Sequence, residues 1–225
     1  MPDVRRRRNR DLWSCACGRA LETRTQSLGD GVIAWRLLGG VRSARCGLVA
    51  HPRQLVLLLR HGIAETPSSG RVDEERRLTV EGARVLAEVA AGMRALALPV
   101  EAIVSSPLRR ARETAAIVAA AYHLEDRIDA ERALAPGAGP DAAIAALAVY
   151  REATAVLLVG HQPNLGEIAS TMLVGTAGLV PLPFGTAGLA GIAVTALPLR
   201  APGVLEFFLT AEQACRIGRA VAGTG

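Results

Sequence analysis

The stretch Leu55-Val56-Leu57-Leu58-Leu59-Arg60-His61-Gly62 decides how this chain is read. Its apolar run is short, unbroken and without alternation, the pattern of a central strand covered on both faces. Ala102-Ile103-Val104-Ser105 and Ala155-Val156-Leu157-Leu158-Val159 repeat the pattern, with a weaker strand near Ile128. Helical segments separate them. One opens at about Thr79, where Thr79-Val80-Glu81-Gly82 approximates a cap, and Val85, Val89 and Met93 recur at helical spacing. A second is expected to carry Pro107 in its first turn and to run to about Tyr122. A third spans about Pro140 to Tyr150, and Asn164 opens a fourth. Strand character returns around Val194 and over Val204 to Leu209. Strands alternating with helices imply right-handed crossovers. The expected fold is α/β, a three-layer α/β/α arrangement with a mostly parallel central sheet.

Composition narrows the function. Half of the 225 residues are apolar and 21% are charged, enough to bury a core in one domain with an extension. Aromatics at 3% argue against a single-strand nucleic-acid binder, which needs stacking platforms. The net charge of +5 is unevenly spread. Residues 1–54 hold 11 Arg against 4 acidic residues, whereas 55–225 hold 15 Arg against 17. All 26 basic residues are Arg, a bias that weakens any inference from arginine content alone. Residues 1–54 are read as a basic, disordered extension or an over-extended start, and 55–225 as the folded domain. The Arg5–Arg8 run lacks the apolar stretch of a signal peptide. The uncharged segment Ile168 to Leu199 is interrupted by Pro181, Pro183 and Pro198, so it reads as helix end, loop and buried strand, not as a membrane span. A cytoplasmic protein is expected. Cys15, Cys17, Cys46 and Cys215 form neither a disulfide framework nor a zinc spacing.

The chemistry gathers where strands end. Ligands of open α/β sheets sit beyond the carboxyl ends of the strands. Those ends read Arg60-His61-Gly62, Ser105-Ser106-Pro107-Leu108-Arg109-Arg110-Ala111, and Gly160-His161-Gln162-Pro163-Asn164. Taken singly, each has an ordinary explanation: a structural histidine, a Ser-Pro cap, a solvated arginine face, a turn. Their joint occurrence in this order points to one anion site made of two imidazoles and at least two guanidiniums. Arginine offers planar, bidentate donors to phosphoryl oxygens. Nearby cations hold an imidazole neutral, and a neutral imidazole is nucleophilic. Covalent phosphoryl transfer through a phosphohistidine, with no metal and no cofactor, is the chemistry expected.

The same residues resemble the signature of the histidine phosphatase superfamily: Arg-His-Gly, then Ser-x-x-x-Arg-Ala-x-x-Thr-Ala, then a later Gly-His. Within it the chain is most similar to SixA-like phosphohistidine phosphatases, through Arg76-Arg77-Leu78-Thr79-Val80-Glu81-Gly82, Leu134-Ala135-Pro136-Gly137 and Gly160-His161-Gln162-Pro163-Asn164-Leu165. Thr186 falls near a Thr-bearing segment of that family. The likeness covers about Leu55 to Leu209. It implies His61 as nucleophile, with Arg60, Gly62, Arg110 and His161 around the phosphate, and it selects Arg110 over Arg109. Arg77 stands where a proline is usual. Mutase-like members protonate an alcohol leaving group with a carboxylate. In this chain that region offers only Glu131, or Asp141, neither in a clear counterpart position. An alkoxide needs a proton on leaving far more than an imidazole does.

The expected substrate is therefore phosphohistidine on a protein partner. The alternative is a small phosphate ester, and a non-catalytic phosphate-binding module ranks last. Neither membrane nor nucleic acid is an expected partner.

Overall fold

The computed structural model describes residues 54–67 and 72–222, together with the backbone of four short strands nearer the N-terminus. The chain divides into two units, Met1–Val49 and Ala50–Gly225. In the first, Trp13–Ser14 pairs antiparallel with Ala20–Leu21, and Arg24–Leu28 with Val32–Arg36. The expectation of disorder over 1–54 otherwise falls outside the described residues.

The second unit is built on six strands, β1 (Gln54–Arg60), β2 (Ala102–Ser105), β3 (Ile128–Ala130), β4 (Ala155–Gly160), β5 (Leu189–Val194) and β6 (Val204–Leu209). Five helices flank them: α1 (Val80–Ala95), α2 (Arg109–Tyr122), α3 (Pro140–Ala146), α4 (Asn164–Val174) and α5 (Ala211–Ala222). The sheet order is β6-β5-β1-β4-β2-β3. The β1–β4, β4–β2 and β2–β3 pairs are parallel, while β5 runs antiparallel to both neighbours.

The unbroken apolar run of β1 now has its reason. Val56 and Leu58 face one core, shared with Leu165 and Ile168 of α4 and Ala143 of α3. Leu57 and Leu59 face the other, with Leu86 and Met93 of α1 and Ala115 and Val118 of α2. A strand buried on both faces has no polar position to offer. Truncating Leu58 to Ala should cost roughly 2–5 kcal/mol.

Helix ends are set by ordinary chemistry. Thr79 caps α1, its Oγ1 accepting from Gly82 N at 2.9 Å. Gly82 is required for packing, because a Cβ there would overlap the Ile63 carbonyl just past β1. In α2 the expectation needs correction. Leu108 is the N-cap, and Pro107 lies just before that cap, two residues ahead of the helix and not in its first turn. The Leu108 carbonyl accepts from Ala111 N and Arg112 N, which makes it the first acceptor of the helix.

Candidate active site

Strand register places the histidines side by side. In the parallel β1–β4 pair, Arg60 lies opposite Gly160, so His61 and His161 each follow one residue beyond a matched pair. Neighbouring strands lie about 4.8 Å apart, and the two imidazole centroids are 4.9 Å apart. Across β4, Ser105 is level with Val159, which brings Ser106 next to His161. The strand ends thus line up at one edge of the sheet, with α2 and α4 starting beside them.

Most polar atoms of the cluster have a defined partner. His61 Nδ1 lies 2.8 Å from the Gly62 carbonyl, which accepts its proton and leaves Nε2 as the lone-pair nitrogen. Arg110, 3% exposed, donates from Nε to that Nε2 at 3.3 Å. Arg60 donates to the Phe184 carbonyl at 2.7 Å. His161 Nε2 lies 2.8 Å from Ser106 Oγ. Ser106 Oγ also accepts from Leu108 N at 3.4 Å, and its own hydrogen is available to the imidazole. With Ser106 as the donor, Nδ1 is the protonated nitrogen of His161. Two buried nitrogens, Arg60 Nε and, protonated in that tautomer, His161 Nδ1, have no protein partner. Unpaired buried donors are costly, and an oxyanion bound among them satisfies both.

The electrostatics keep both rings uncharged. Burial is the main cause that lowers His61 to about 4, helped by Arg110, Arg60 and Arg76 and opposed by the hydrogen bond to Gly62. His161 falls to about 3, again chiefly by burial, with His61 and Arg110 adding to it. Burial also lowers Arg60 and Arg110 from their ordinary value. Guanidinium is still cationic at any working pH. At neutral pH the site is two neutral imidazoles held among cations, an arrangement suited to a phosphoryl group and to attack by His61 Nε2.

A rim closes one side. Over residues 73–75 the chain makes a 3₁₀ turn, and Asp73 meets both Arg110 and Arg76. Arg76 also donates to the Glu65 carbonyl at 2.8 Å, and Leu78 N donates to Glu113 at 2.7 Å. A separate groove of about 490 Å³, lined by Ile144, Met172 and Leu199 among others, shares no residue with the histidine cluster.

Residues 56–134 match the histidine phosphatase superfamily (branch 1). An uncharacterized protein of Picosynechococcus sp. (strain PCC 7002) is 38% identical over 152 residues, covering 67% of this chain and 91% of its own length. The chain belongs to the histidine phosphatase superfamily. Its fold is shared with the protein histidine phosphatase SixA solved with tungstate, at a TM-score of 0.62 and 21% identity over 70% of this chain and 97% of that one. The Agrobacterium tumefaciens SixA structure gives 0.58 and 24%, covering 70% and 98%. A phosphoserine phosphatase of Entamoeba histolytica gives 0.53 and 16%, covering 71% and 98%.

In this histidine phosphatase the structure brings His61, Arg110 and His161 together, with Arg60 one residue before the nucleophile candidate. Gly62 contributes its carbonyl to His61, and its N–H donates to Thr114 Oγ1 at 3.2 Å. Arg109 turns away to Glu113 and Glu75, which separates it from the buried Arg110. Glu131 is not brought into hydrogen-bond contact with the cluster. Its carboxylate accepts from Ala133 N at 2.9 Å and caps the turn 132–134. Asp141 lines the separate groove. Among the described residues no group of three His, Cys, Asp or Glu could hold a metal ion. Sequence reasoning missed Ser106, Asp73 and Arg76 as members of the site. For Ser106 the available signal was its position one residue past β2.

Proposed function

We propose that this histidine phosphatase hydrolyses phosphohistidine on a protein, using His61 as nucleophile. Supporting the reading above all is His61 itself: its Nδ1 proton is committed to Gly62, and its neutral Nε2 faces a buried guanidinium. In the first step Nε2 attacks phosphorus, and the bond from phosphorus to the substrate imidazole nitrogen breaks. The substrate ring is first protonated from solvent on its other nitrogen, so it departs as neutral imidazole. In the second step water attacks phospho-His61, which releases phosphate and restores the neutral ring. Arg60, Arg110 and His161, through its Nδ1–H, stabilise charge on the phosphoryl oxygens.

The leaving group favours nitrogen over oxygen. Asp73 hydrogen-bonds the cluster, and slight burial acts to raise it. The bond from Arg76 and the charges of Arg110 and Arg76 outweigh that and hold it below the usual carboxylate value. Asp73 is ionised at neutral pH and has no proton to give an alkoxide. Glu131 is engaged as a turn cap. An imidazole leaves without such help.

The test compares kcat/KM on a phosphohistidine peptide with values for a panel of phosphorylated metabolites. Preference for the peptide by tenfold or more is expected; preference for an ester transfers the reading to a small-molecule phosphatase of the same superfamily.

A further inference from the structure

Arg110 is held from both of its edges, and the two edges serve different ends. Its terminal edge is occupied by one residue: Nη1 donates to the Asp73 carbonyl at 2.8 Å, and Nη2 donates to Asp73 Oδ2 at 3.1 Å. Its side edge, where Nε–H and the remaining Nη2–H lie parallel, faces His61, with Nε 3.3 Å from the imidazole Nε2. Asp73 therefore engages a different edge of the guanidinium from the one that faces the reacting nitrogen. The burial agrees. The Arg110 side chain is 4% exposed and that of Asp73 is 55%, so one lies in the floor and the other on the solvent side. The other carboxylate oxygen, Oδ1, accepts from Arg76 Nε at 2.7 Å, and Arg76 is tied in turn to the Glu65 carbonyl.

We propose that Asp73 is a positioning residue. It clamps the terminal edge of Arg110 so that the Nε/Nη2 edge is presented as a fork to the phosphoryl oxygens beside His61. This rests on the phosphatase reading above. Arginine's value at such a site is its planar, bidentate geometry, and an unclamped guanidinium can rotate that fork away. A single carboxylate bridging Arg110 and Arg76 also couples the rim to the floor. An anion on the solvent side has a second conceivable effect, competition with phosphate for the same cation. The geometry argues against competition, because Asp73 uses a different edge from the one facing His61.

The two roles give opposite signs, which makes the experiment decisive. Inorganic phosphate binding is measured by calorimetry on the full chain for wild type, Asp73→Asn and Asp73→Ala, beside kcat and KM on the best substrate. Asp73→Asn keeps the shape and an acceptor oxygen, so it serves if Asp73→Ala does not fold. Positioning requires weaker phosphate binding in Asp73→Ala, by roughly tenfold, with Asp73→Asn between it and wild type. KM should rise alongside the loss in kcat. Tighter phosphate binding in either variant overturns the proposal and makes Asp73 a competitor. Unchanged binding in both overturns it as well. Phosphate binding does not require transfer of the phosphoryl group, so the result stands apart from His61→Ala, whose undiminished turnover would instead overturn the phosphatase reading.

Discussion

The floor and the rim of the site are built by different means. His61, Ser106 and His161 each occupy the first position beyond a central strand, and hydrogen-bonded register fixes their spacing. The rim over 72–78 is carried by side-chain contacts instead, from Asp73 to two guanidiniums and from Glu113 to Leu78 N. Backbone register between buried strands is hard to shift, since a slip by one residue reverses every side chain. A surface ion pair contributes little in water. The difference teaches that chemistry is entrusted to the sheet, while the rim adjusts what the sheet presents.

Substitutions can break or sharpen that contrast. The largest effect in this series is expected at Arg110. Arg110→Ala removes a buried donor to the phosphoryl group and should lower kcat/KM by roughly 10²–10³-fold. Ser106→Ala leaves the His161 ring without its tautomer-setting partner, with roughly tenfold loss in kcat/KM. If Ser106 only held the turn before α2, stability would fall and kcat/KM would not. Arg109→Ala, one position from Arg110 but on the rim, should stay within about twofold of wild type. An equal loss at Arg109 and Arg110 would erase the distinction between floor and rim.

A titration sharpens the same contrast with a readout other than activity. The His61 imidazole, followed by NMR, should stay neutral on acidification until about pH 4, well below the ordinary 6.5. The unfolded chain takes up that proton earlier, so the site also loses stability as pH falls from about 6.5 toward 4. Because burial is the leading cause and Arg110 a lesser one, Arg110→Ala should raise the midpoint only in part. A wild-type midpoint near 6.5 would mean that the ring is solvated.

Much of the floor was legible in the sequence. The unbroken Leu55 to Leu59 run gave a doubly covered strand, and the motifs past three strand ends, Arg60-His61-Gly62, the arginine-bearing run after Ser105 and Gly160-His161, gave the convergence of two imidazoles with guanidiniums. Choosing Arg110 over Arg109 needed the family pattern, because adjacent arginines look alike until one is buried. Periodicity could not reveal the sense of β5. The link from α4 to β5, residues 175–188, holds no helix, so no crossover forces a parallel return. Pro107 was placed in the first turn of α2 although it precedes the N-cap, since its fixed φ suits both positions. Asp73 was unreadable for a plainer reason: its partner lies 37 residues away, and an acidic triplet on its own reads as solvated surface.

The central claim is that His61 carries the phosphoryl group between the two steps, and the direct measurement is capture of that state. Wild type and His61→Asn are mixed with a phosphoryl donor, quenched in base within one turnover and mapped by mass spectrometry. Phosphate on the ring of His61, labile to acid and missing from His61→Asn, is the expected result. Full turnover with no phosphate on His61, or phosphate on another residue, would contradict it.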